Sequence, residues 1–69
     1  MKALSGREFA RILERHGWTL PRVRGSHHVF GKPGLRQRIV VPIHGNHSLR
    51  PGMVRDMLKD AGLVEGDLD

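Results

Sequence analysis

Apolar positions along the chain follow two periods, first helical, then strand-like, then helical again. Phe9, Ile12, Leu13 and His16 recur at the 3, 4, 7 spacing of one helix face. Ser5 followed three residues later by Glu8 is a capping box, in which each side chain satisfies the other residue's backbone N–H. Leu4 and Phe9 fall at the positions of a hydrophobic staple across that cap, and Gly17 supplies a left-handed C-terminal cap onto which Trp18 can pack. These signals predict a helix over about 5–16. Arg7, Arg11 and Arg15 form a separate stripe along it. A second helix is predicted from Pro51, a residue suited to a first helical position, with Val54, Met57, Leu58 and Ala61 on its buried face. Gly62 would cap it, with Leu63 packing back, and Met53 and Met57 read as packing residues.

Between the helices the period shortens to two. Trp18 to Val23, broken by Pro21, reads as an edge strand, because proline cannot donate to a central ladder. Gly25 and Ser26 make a tight turn and His27 to Phe30 begins a second strand. Gly31-Lys32-Pro33-Gly34 is a turn, and Arg36 to Val41 a third strand with Ile39 and Val41 on one face and Arg38 and Val40 on the other. Short connections favour an antiparallel meander. The expected fold is α+β, in the order α-β-β-β-α, with two helices covering one face of a three-stranded sheet. Residues 1–69 form a single domain, with 65–69 as a frayed acidic tail.

Charge changes the picture more than composition does. The chain carries a formal net charge of +5, and its seven acidic residues lie near the two ends. Between Arg15 and Arg55 there is no Asp or Glu, while that window holds Arg22, Arg24, Lys32, Arg36, Arg38, Arg50 and all five histidines. A central surface without carboxylates is an electrostatic footprint for polyanions, nucleic acid foremost; an ordinary solvated basic face, or one that docks an acidic protein, is the competing reading. The absence of cysteine removes disulfides and thiolate metal sites and fits a reducing compartment. With no apolar run long enough for a signal peptide or a membrane span, a cytosolic protein with no membrane partner is expected.

The candidate chemistry centres on Arg24-Gly25-Ser26-His27-His28-Val29-Phe30. Gly25, lacking a Cβ, permits close approach of backbone or ligand. Strand alternation sends His28 and Phe30 one way and His27 and Val29 the other. If Phe30 faces the core, His27 stands on the open face, flanked by Arg24 and Ser26. A neutral imidazole there can take a proton from a ribose 2′-hydroxyl, while neighbouring cations hold phosphates. The bland alternative is a solvent-facing strand histidine without a role. His28 belongs under the helices, and His16 to the structural stripe. His44 and His47 have HxxH spacing and, with His27 and His28, could supply four nitrogens; all-histidine zinc sites usually keep a catalytic opening and often add a carboxylate, which this region lacks, so no metal and no cofactor is expected. His44 could instead touch phosphate, as could Lys32. Trp18 is read as core in preference to a base-stacking platform. The Gly31–Gly34 turn lacks the lysine and helix of a phosphate-binding loop.

Taken in order, these residues resemble the HicA toxins, the small ribonuclease half of bacterial HicA–HicB toxin–antitoxin pairs. The resemblance spans nearly the whole length. It runs from the capped helix through Gly17-Trp18, Gly25-Ser26-His27 with Phe30, Val41-Pro42-Ile43-His44 and Leu49-Arg50-Pro51-Gly52 to Leu58-Lys59-Asp60-Ala61-Gly62-Leu63. It implies a fold like the double-stranded-RNA-binding domain, cleavage of mRNA that blocks translation, and neutralisation by a HicB antitoxin. It also implies that the histidine after Gly-Ser, here His27, is catalytic. The expected site is His27 with Arg24, Ser26, Lys32, Arg38 and His44 as RNA contacts, working without metal. A non-catalytic RNA-binding module of the same fold is the alternative.

Overall fold

A computed structural model describes residues 3–68, apart from the side chain of Pro21. Helix α1 spans Gly6–Arg15, followed by strands β1 (Thr19–Arg24), β2 (His27–Gly31) and β3 (Arg38–Pro42), then helix α2 (Pro51–Ala61). The sheet is antiparallel in the order β1-β2-β3, so β1 is an edge strand as its proline suggested. The α+β order predicted from the sequence is the order observed.

Helix α1 is capped at both ends, and α2, which starts on Pro51 without a side-chain cap, is capped at its C-terminus. The Ser5 hydroxyl accepts the Glu8 N–H at 3.1 Å, and the Glu8 carboxylate accepts the Ser5 N–H at 2.9 Å. At the other end the Gly17 N–H donates to the Glu14 carbonyl and the Trp18 N–H to the Leu13 carbonyl, with Gly17 at φ +91°. That pair of bonds is a Schellman motif, and it turns the chain so that Trp18 packs into the core, 2% exposed. Gly62 closes α2 in the same way, with the Leu63 N–H donating to the Leu58 carbonyl.

The core lies between the helices and one face of the sheet. Phe30, Ile39 and Val41 are buried from the sheet side, and Phe9, Ile12, Leu13, Val54, Met57 and Leu58 from the helices. Both helices pack on β3. The N-terminal segment ties down the connection after β3: the Leu49 N–H donates to the Leu4 carbonyl at 2.6 Å, and Ser5 bridges Ser48. A Cβ at Gly6 would collide with the Pro42 carbonyl oxygen, so α1 begins hard against the end of β3.

Four details differ from the sequence expectation. β3 begins at Arg38 rather than Arg36, because the carbonyls of residues 35–37 accept from the Arg38 guanidinium instead of a neighbouring strand. β1 carries an irregularity between Thr19 and Arg22 and extends through Arg24. Met53 is exposed rather than packed, since it lies outside the stripe that buries Val54, Met57 and Leu58. Residues 65–68 do not fray: Glu65–Leu68 is a 3-10 turn, held by the Val64 N–H to the Asp67 carboxylate, and Leu68 is buried in the core cluster near α1. Asp69 lies outside the described residues.

Two stability measurements follow from this packing. Ser5→Ala removes the cap and is expected to cost about 1 kcal/mol. In thermal melts of so small a domain that is a fall in Tm of roughly 4–8 °C. Leu68→Ala should cost about 2 kcal/mol by the same melts, as a buried leucine at the margin of a core does; a melt identical to wild type would return the tail to the solvent.

Candidate nucleic-acid interface on the open sheet face

The hairpin joining β1 to β2 is two residues long, and its registration decides what shares the face away from the helices. Arg24 stands opposite His27, Val23 opposite His28 and Arg22 opposite Val29. On the far side His27 stands opposite Pro42, His28 opposite Val41, Val29 opposite Val40, Phe30 opposite Ile39 and Gly31 opposite Arg38. Directly paired residues in an antiparallel sheet share a face. Because Phe30, Ile39 and Val41 face the core, alternation puts Arg22, Arg24, His27, Val29, Val40 and Arg38 on the opposite face.

That face is open and basic. Arg22, Arg24, Val29 and Arg38 line one shallow depression of about 350 Å³. His27 is exposed beside it, while His28, on the core side, is half-buried. No side-chain hydrogen bond holds the His27 imidazole among the described residues. Gly25 has φ +58° and is the first central residue of the hairpin turn, the place where a II′ geometry needs glycine. Nothing would crowd a Cβ there, so the glycine serves the turn and not a close approach. Ser26 is half-buried in the same turn, and its carbonyl accepts the Ile43 N–H at 2.8 Å, tying the hairpin to the end of β3.

Arg38 is held in an unusual way. Its Nη1 donates to the carbonyls of Leu35, Arg36 and Gln37 at 3.2, 3.3 and 3.2 Å. The guanidinium also lies over Gly31: a Cβ on that residue would stand 3.1 Å from Cζ and Nε and 3.2 Å from Nη1.

The other expected contacts lie elsewhere. Lys32 leans on the end of α1, its Nζ 6.0 Å from the centre of the Trp18 ring and its Cε close to Gly17. His44 lines a separate depression with Pro42, His47, Ser48, Leu49, Arg50 and Met53, beside the start of α2. The arginine stripe of α1 is exposed, but Glu8 and Glu14 are interleaved with it around the adjoining depressions. The open sheet face has no such carboxylates, since none occurs between Glu14 and Asp56. Among the described residues no three histidine or carboxylate side chains converge as a metal site, so the four-histidine set is not assembled. No described helix is long and apolar enough to cross a membrane.

Arg22 was not among the site residues expected from the sequence. The irregularity near Pro21 breaks the alternation counted forward from Trp18, whereas counting back from the two-residue turn pairs Arg22 with Val29 and reveals its face.

The family model described as HicA toxin of bacterial toxin-antitoxin matches residues 6–63. No curated protein matches the chain. The matched segment runs from the first residue of α1 to the residue that packs back after α2, and so takes in both helices, all three strands and the whole basic face. The chain belongs to the HicA toxin family of toxin–antitoxin systems.

Proposed function

We propose that the chain is an mRNA-cleaving ribonuclease that blocks translation, with His27 as its catalytic base and a HicB-type protein as its neutralising partner. The observation that carries the reading is the alternation along β2, which sets His27 on the carboxylate-free face, directly opposite Arg24 and away from the buried Phe30. Membership of a toxin family supports it. The α-β-β-β-α order agrees with a likeness to the double-stranded-RNA-binding domain, which is part of the same proposal.

In this mechanism the His27 imidazole takes the proton from a ribose 2′-hydroxyl as its oxygen attacks the adjacent phosphorus. The bond from phosphorus to the 5′-oxygen breaks, that oxygen takes a proton from solvent, and a 2′,3′-cyclic phosphate remains. Arg24, paired across from His27, is the cation nearest in register to steady the charge that develops on phosphate. Arg22 and Arg38 follow along the face and hold further phosphates, fixing the strand without reading its bases. Lys32 and His44, if they touch RNA, do so beyond this face. The carboxylate-free window offers no acidic ligand for a hard divalent ion, so the proton work falls to imidazole. An antitoxin covering the face would place carboxylates where RNA phosphates lie, with an apolar contact on Val29 and Val40.

One observation favours the rival reading, a binding module without catalysis: among the described residues no side chain hydrogen-bonds to His27. Cleavage in EDTA separates the two. Wild type should cut RNA, and His27→Ala should lose roughly 100-fold or more in rate while still binding. His28→Ala should lower Tm more than activity. RNA bound but never cut by wild type would leave the binding module standing, and cleavage that needs added metal would sink the imidazole mechanism.

Salt dependence tests the contacts. For a non-cleavable 2′-O-methyl oligonucleotide, Arg22→Ala and Arg24→Ala should each flatten the slope of log affinity against log salt by about 0.7, one phosphate's worth on a single strand.

A further inference from the structure

We infer that Gly31 and Arg38 together form a fixed clamp for one phosphodiester of the RNA strand, at a phosphate other than the scissile one. The inference rests on reading the open sheet face as the RNA-binding face. It goes further by assigning a role to Gly31 and a distinct position to Arg38.

A surface arginine ordinarily samples many rotamers and loses that freedom when it grips a ligand. Arg38 is tethered before any ligand arrives. Three consecutive carbonyls of the β2–β3 connection receive its Nη1, and the flat guanidinium is laid over the glycine paired with it across the sheet. Nε and Nη2 have no partner among the described residues. Two neighbouring N–H groups held in a plane match two oxygens of a phosphate, the fork geometry that distinguishes arginine from lysine. The side chain lines the same depression as Arg22 and Arg24.

Glycine at position 31 has no backbone reason on this account. Its φ is not positive, so alanine fits the strand. What alanine would not fit is the guanidinium, 3.1 Å from the added Cβ. The far end of a flexible side chain can yield, and yielding would move the donors off their carbonyl tethers.

The register also says which phosphate is held. Gly31 lies four residues along β2 from His27, about 13 Å at the usual strand rise. An anion over Gly31 is therefore displaced along the strand from the bond that His27 would cut. Arg38 acts as a positioning residue.

A double-mutant cycle tests this with the same 2′-O-methyl oligonucleotide, in wild type, Gly31→Ala, Arg38→Ala and the double variant. Gly31→Ala keeps every charge, yet should bind about tenfold more weakly. Arg38→Ala should lose at least as much, and the double variant no more than Arg38→Ala alone, because the glycine acts only through the arginine. In RNA cleavage the loss should fall mainly on KM. Should Gly31→Ala melt at the assay temperature, Arg38→Lys replaces it: the charge stays, the fork goes, and the same loss is expected. Wild-type affinity in Gly31→Ala or Arg38→Lys, or additive losses in the double variant, overturns the clamp. Intact coupling in a protein that never cuts RNA would instead refute the ribonuclease reading and leave the clamp. If no form binds RNA at all, both fall together.

Discussion

Phe30 and Ile39 face each other across β2 and β3, both buried, and the chemistry of the opposite surface depends on that pair. Side chains in a strand alternate, so every residue of β2 is assigned to a face once one of them is. A slip of one residue would drive Phe30 into water and bring His27 under the helices. Burying a phenylalanine is worth roughly 1.5–3 kcal/mol, a large share of the stability of so small a domain, and the two-residue hairpin at Gly25-Ser26 locks the same register from the other side. The basic face is thus held by residues that never touch it. That division matters most at His27, whose imidazole has no hydrogen-bond partner among the described residues.

The ends of the elements matter for the same reason. The Schellman turn at Gly17 delivers Trp18 to the core at the point where α1 gives way to β1. The bond between Leu4 and Leu49 and the bond between Ser26 and Ile43 anchor the chain on both sides of the β3 exit. The basic face therefore rests on strands anchored near the β3 exit, while the β2–β3 connection reaches the end of α1 through Lys32. That connection is where the Arg38 guanidinium gathers three carbonyls, so the loop's own backbone braces the side chain in place of a core contact.

Much of this was legible in the residues because it is local. The Ser5–Glu8 box, the Gly17–Trp18 turn, the proline at an edge strand and the alternation from His27 to Phe30 all act within a few positions, and each is present as expected. What escaped depends on pairing across distance or on single residues. Arg22 was hidden by the irregularity at Pro21, which breaks the count along β1. The meeting of Gly31 and Arg38 requires the register of β3, and six intervening loop residues leave that open. The placement of Lys32 over Trp18 follows from how α1 sits on the sheet, which no spacing reveals. Leu68 is one apolar side chain in an acidic tail, too weak a signal against its neighbours, yet it finds the core.

If the sheet face bearing His27 is the working surface of the molecule, it is the face that RNA touches. Amide and imidazole chemical-shift mapping with a non-cleavable single-stranded RNA tests it most directly. The large shifts should gather at Arg22, Arg24, His27, Val29, Arg38 and Val40, with the exposed faces of both helices quiet. Shifts concentrated on the Arg7–Arg11–Arg15 stripe or at the start of α2, with the sheet face silent, would contradict it.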